Sequence, residues 1–169
     1  MLGRVLGRTA TVGSEGLAFT LGESLAYYHA LNHTASSTYV DTHTVRLGNS
    51  DLFSQRYVYD ASGNITEILQ AGASGETVLR RYTYDLLDRL VRADCADLEK
   101  SYAYTYDELG NITGGVTYAY TLGELGEVTA SDSYVYPARD ANPSYNQLLS
   151  FNGQSIVYDA CGNPTAYRG

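Results

Sequence analysis

The chain has 169 residues, a formal net charge of −8, 17 tyrosines, 17 glycines, no tryptophan and two cysteines. That length suits one domain of ordinary size. The acidic balance, with Lys100 as the single lysine, argues against binding nucleic acid or an anionic membrane, since both need a basic stripe. Two cysteines cannot staple a small fold, and no CxxC spacing exists, so Cys95 and Cys161 read as free thiols. No stretch of 18 apolar residues is present, and the segment beginning Met1-Leu-Gly-Arg lacks the apolar core of a signal peptide.

In chain order, residues 1–54 read as an irregular or diverged-repeat N-terminal segment, with residues 1–16 unstructured. Within it Tyr39 to Leu47 reads as a strand and Gly48-Asn49-Ser50-Asp51 as a turn. Residues 55–169 read as a tandem repeat region. The recurring phrase is Tyr57-Val-Tyr-Asp60, Tyr82-Thr-Tyr-Asp85, Tyr104-Thr-Tyr-Asp107 and, shortened, Val157-Tyr-Asp159. Three copies run on into Gly63-Asn64-Ile-Thr66, Gly110-Asn111-Ile-Thr113 and Gly162-Asn163-Pro-Thr165. A repeat at such a period means one small unit copied and stacked.

Each copy predicts a β-hairpin. Tyr57 and Tyr59 alternate with Val58, so both rings share one face. Gly63 and Asn64 supply the positive φ of the turn, and Asp60 hydrogen-bonds its backbone. Ile65 to Leu69 returns. The same pattern places Tyr82 and Tyr84 before Asp85, and Tyr104 and Tyr106 before Asp107, with all six tyrosines on one face. Asp88 stands in the second copy where the others have Gly. Tyr118-Ala-Tyr120 and Tyr134-Val-Tyr136 are degenerate copies without the Asp, and Asn152-Gly153 predicts a two-residue turn between Leu148 and Tyr158. Intervals of 25, 22, 14, 16 and 22 residues between Tyr59, Tyr84, Tyr106, Tyr120, Tyr136 and Tyr158 indicate constant hairpins joined by variable loops. The fold class is therefore all-β, antiparallel hairpin repeats in a curved ribbon.

Twelve of the 17 tyrosines lie in these phrases. They read either as cross-strand ladders that hold the sheet, with hydroxyls on water or backbone, or as a sugar- or peptide-binding surface. Repetition in every copy favours the ladder, because a site would sit in one place. The repeated Asp60, Asp85, Asp107 and Asp159 invite comparison with glycosidase carboxylates or calcium loops. Each is tied to its own turn, and no dense oxygen array exists. His29, His33 and His43 near Asp41 have part of a zinc spacing but lack a helical setting. Asn32, Asn64 and Asn111 begin glycosylation sequons, the last two already explained by turn geometry. The reading predicts no catalytic residues, no cofactor and no metal.

The phrase Tyr-x-Tyr-Asp-x-x-Gly-Asn-x-Thr, with the variant Tyr84-Asp-x-x-x-Arg89-Leu90, resembles the YD (Rhs) repeats of bacterial Rhs and wall-associated proteins, insecticidal toxin-complex subunits and animal teneurins. The resemblance covers about residues 56–169, and more faintly from residue 37. It implies a long ribbon that spirals into a hollow shell, enclosing a toxic or unfolded C-terminal segment or displaying an extracellular surface. The family's self-cleaving core has no counterpart here, so no catalytic residue carries over. The function implied is a structural segment of a larger secreted or cell-surface shell. Its partners would be neighbouring repeats of the full-length protein and an encapsulated polypeptide or glycan. The signature residues are Tyr57, Tyr59, Asp60, Gly63, Asn64, Tyr82, Tyr84, Asp85, Tyr104, Tyr106, Asp107, Gly110, Asn111, Tyr158, Asp159, Gly162 and Asn163. A carbohydrate-binding module using the tyrosine face is the alternative. Unpaired sheet edges imply self-association of the isolated chain or partial disorder at both its ends.

Overall fold

A computed structural model describes residues 6–12, 19–29, 36–138 and 146–166. The chain divides into two compact units, Met1–Tyr82 and Thr83–Gly169. The first holds β1 (Gly7–Val12), β2 (Phe19–His29), β3 (Ser36–Leu47), β4 (Ser50–Tyr59), β5 (Ile65–Gly72) and most of β6 (Gly75–Tyr84). Its strands follow chain order across the sheet, each antiparallel to the one before. Gly7–Val12, expected to lack structure, instead pairs with β2 over six residues. Alternation of Arg8 and Ala10 with Thr9 and Thr11 suits a half-solvated strand.

The second unit holds β7 (Leu90–Cys95), β8 (Lys100–Tyr106), β9 (Ile112–Ala119), β10 (Val128–Val135), β11 (Ser150–Phe151) and β12 (Gln154–Ser155), again in chain order. A separate antiparallel pair, β13 (Val157–Tyr158) and β14 (Pro164–Ala166), closes the described chain. One 3-10 turn at Ala96–Leu98 is the only helical segment among the described residues. The structure is antiparallel β throughout, as the alternation requires. The predicted Asn152-Gly153 turn joins β11 to β12 with φ of 50° and 78°, positive at both positions as a type I′ hairpin demands.

Register shows what the tyrosines face. Tyr57 stands opposite Ile68, Val58 opposite Glu67, and Tyr59 opposite Ile65. In the second unit Tyr102 is opposite Thr117 and Tyr104 opposite Gly115. The tyrosines of β4, and those of β8, therefore face no tyrosine on their own return strands. On the return strands β5 and β9 their partners are isoleucine, threonine and glycine, whereas Tyr134 on β10 stands opposite Phe151 with the rings 5.0 Å apart. The Tyr104 ring lies 3.9 Å from where a Gly115 Cβ would stand, so this pair is an aromatic ring covering a glycine gap.

The reverse face of the first unit carries polar pairs beside the apolar Val58 and Leu69. Glu67 and Arg81, opposite each other on β5 and β6, pair at 2.8 Å. Arg56 forks onto Glu76 at 2.6–3.1 Å, and Thr44 meets Ser54 at 2.8 Å. Buried apolar residues are few: Leu69, Ala93 and Cys95 among the described residues. A chain of this length ordinarily buries a sizeable core. Here stability rests on sheet ladders and cross-strand pairs, each contributing about 0.2–1 kcal/mol.

Candidate functional site: the repeated Tyr-Asp turn

Each Tyr-Asp phrase ends a strand and opens the same turn. After β4, the Gly63 N–H donates to the Asp60 carbonyl at 3.2 Å and the Asp60 N–H to the Asn64 carbonyl at 3.0 Å. After β8, Gly110 donates to Asp107 and Asp107 to Asn111 at 3.1 and 3.0 Å. After β13, Gly162 donates to Asp159 and Asp159 to Asn163 at 3.0 and 2.9 Å. Gly63, Gly110 and Gly162 have φ of 91°, 87° and 82°. The pairing slips by one residue beside every such turn, between Val58 and Tyr59, Thr105 and Tyr106, and Val157 and Tyr158. A turn followed by a left-handed residue and a bulge is a common tight hairpin connection.

The carboxylates are spent inside these turns. Asp60 accepts from the Asn64 backbone N–H at 2.9 Å and its side-chain amide at 3.1 Å. Asp107 accepts from the backbones of Leu109 and Asn111 and from the Asn111 amide at 2.8–2.9 Å. Asp159 does the same with Cys161 and Asn163 at 2.9–3.1 Å. The second copy swaps both partners. Asp88 takes the glycine slot with φ 58°, a region Asp tolerates better than most residues. Arg89 takes the asparagine slot, and its Nε and Nη2 donate to Asp85 Oδ2 at 2.7 Å.

These bonds hold all four carboxyls below the usual Asp range. At Asp60 and Asp107 partial desolvation opposes the shift, but the hydrogen bonds from Asn64 and Asn111 outweigh it. Arg89 leads at Asp85, and the Asn163 backbone N–H leads at Asp159. Hydrogen bonding to the charged form favours it. The Asn64 and Asn111 amides are committed in the same way, which explains these sequons as turn chemistry.

In three of the four phrases the tyrosine before the Asp reaches backward. Tyr59 Oη donates to the Val40 carbonyl at 2.8 Å, Tyr106 to Leu90 at 2.7 Å, and Tyr158 to Leu148 at 3.0 Å. The acceptors lie 19, 16 and 10 residues upstream. Burial pushes the Tyr59 and Tyr106 hydroxyls up, consistent with neutral donors. Thr66 and Thr165 add bonds to the Val58 and Val157 carbonyls at 3.3 and 3.1 Å. Removing one hydroxyl leaves a carbonyl without its donor, at about 1 kcal/mol. Tyr59→Phe and Tyr106→Phe should therefore lower the denaturant midpoint. Tyr57→Phe should lower it less, because the Tyr57 hydroxyl has no hydrogen-bond partner among the described residues. Equal losses at all three positions would show that the hydroxyl-to-carbonyl bonds do not set the difference.

Tyr57 and Tyr59 line one hollow of about 260 Å³ together with Leu25, Val40, His43 and Ile65, so both rings point to the same face. Tyr82 lies close enough to Tyr57 to raise its hydroxyl further, after burial. In the second unit Tyr104 is influenced in the same way by Tyr102, Tyr134 and Tyr106. Tyr84 ends β6, directly before Asp85. His43 Nε2 bonds Glu23 Oε1 at 2.9 Å. His33 falls outside the described residues, among which no group of acidic, cysteine or histidine side chains could hold a metal ion. Cys95 is buried and Cys161 exposed, and the two are not joined in a disulfide.

Three contributors carry no repeat signal in the sequence. The Tyr39 ring lies 5.0 Å from the Tyr59 ring and against Gly63. Arg89 sits 4.7 Å above the Tyr106 ring. The Gln147 amide lies 3.2 Å from where a Gly162 Cβ would be. Only the Arg-Leu of the second copy hinted at any of them.

Comparison with known proteins agrees with this geometry. No curated protein matches the chain. Among solved structures, the Photorhabdus luminescens Tc holotoxin pore matches with a TM-score of 0.56 at 16% identity over 85% of this chain. The chain spans 8% of the length of that protein. At that identity the likeness is one of fold. The model of the Teneurin YD-shell family matches residues 23–163, from β2 to the asparagine of the last Tyr-Asp turn. The match takes in every turn and every tyrosine bond described above, and the chain belongs to the Teneurin YD-shell family.

Proposed function

We propose that this chain is a length of structural wall in a larger secreted or cell-surface shell protein, with one sheet face turned toward an enclosed polypeptide and no catalytic role. The observation that carries the reading is the commitment of the repeat's chemistry to the wall itself. The signature carboxylates are bound by their own turns, and three of the tyrosine hydroxyls are bound by backbone. Scarcity of buried apolar residues supports it too, since a wall completes its burial against neighbouring repeats and contents. The similarity to a toxin complex suggests a toxin as the enclosed segment.

The test is protease protection in the full-length product of its gene. Expected is a polypeptide that stays intact while the shell is closed and is digested once the shell is opened by denaturant. The reading fails if the 169-residue chain alone is a monomer, unfolds cooperatively and turns over a glycan or peptide in a way that Asp107→Asn abolishes. A second reading, carbohydrate binding, draws on the hollow lined by Tyr57, Tyr59 and His43. A glycan array separates the two: binding lost on Tyr57→Ala would favour the module, and no binding the wall.

A further inference from the structure

In three hairpins the tyrosine hydroxyl bonds a carbonyl earlier in the chain, on a strand for Val40 and Leu90 and just before β11 for Leu148, and the residue just before that acceptor touches the new turn. The acceptors are Val40, Leu90 and Leu148. The preceding residues are Tyr39, Arg89 and Gln147. Each touches its turn differently. A Cβ at Gly63 would overlap Tyr39, whose Cζ would lie at 2.9 Å. Arg89 Nη1 donates at 3.1 Å to the Asp107 carbonyl, the oxygen that also closes the third turn, while its guanidinium covers the Tyr106 ring. Gln147 brings its side-chain amide against Gly162.

We infer that this position is a clasp that fastens each Tyr-Asp turn to the preceding hairpin, and that its residue type grades the strength of the joint. Arginine makes the firm joint, because one planar group can donate to a carboxylate, donate to a carbonyl and stack on a ring at once. Asparagine in the corresponding slot of the other turns donates to its own turn's carboxylate. Glutamine has no charge to place on a ring, so the Gln147 joint is the loose one.

The experiment is hydrogen exchange read by mass spectrometry in the intact protein, comparing wild type with Arg89→Gln and Gln147→Arg. Arg89→Gln will loosen its own turn at 85–89 in any case, so the informative segments are 107–111 and 159–163. Expected is about fivefold faster exchange at 107–111 in Arg89→Gln, the size of one lost cation–π contact and one hydrogen bond. Gln147→Arg should slow exchange at 159–163 by a similar factor, with 60–64 unchanged in both. Unchanged exchange at 107–111 would overturn the clasp. A response at 107–111 without one at 159–163 would overturn the graded position and leave Arg89 as a local brace.

Discussion

Gly63→Val should unfold the first Tyr-Asp turn and destabilise the protein by well over 2 kcal/mol, more than the same change at Gly110. Both glycines have positive φ, 91° and 87°, where a residue with a Cβ costs about 1–2 kcal/mol and a β-branched one more. The surroundings differ. A Cβ at Gly110 meets nothing within 4 Å, whereas at Gly63 it meets the Tyr39 ring. Valine at 63 must therefore displace Tyr39, and with it the ring stacked on Tyr59. Glu108→Val, on an exposed turn position, should change stability by less than about 0.5 kcal/mol. Thermal melts of the three variants give the order directly. Equal losses at 63 and 110 would mean that Tyr39 does not brace the turn.

Acid should loosen the hairpins through the four turn aspartates. Their folded pKa values lie below the usual Asp range. A depressed carboxyl contributes stability above its unfolded pKa, about 3.9. That contribution disappears as pH falls through the folded values. Stability should hold from neutral pH to about 5 and then fall steeply below about 4. A triple variant with Asn at 60, 107 and 159 should start less stable and show a flatter acid limb. Asn presents an N–H where Asp60, Asp107 and Asp159 accept from the asparagine amides. Urea midpoints at pH 7, 5, 4 and 3 measure both. Parallel acid limbs would place the sensitivity elsewhere, for instance at the ion-paired Glu23 and Glu76.

Much of the hairpin was legible in the sequence because its determinants are local. Asp60 and Asn64, or Asp107 and Asn111, are four residues apart and bind each other through one turn. Glycine at 63, 110 and 162 declares the left-handed backbone, and period-two alternation puts Tyr57 and Tyr59 on one face. The family resemblance followed from the same residues. Tertiary structure alone decided how hairpins join. The acceptors of Tyr59, Tyr106 and Tyr158 are backbone carbonyls, which every residue possesses, so nothing in the aliphatic side chains of Val40, Leu90 and Leu148 marks them as acceptors. Tyr39, Arg89 and Gln147 do one task with three chemistries, so repetition could not reveal them. Cross-strand identity was likewise hidden: that Tyr104 covers Gly115 and Tyr57 faces Ile68 depends on register, which the bulge beside each turn resets.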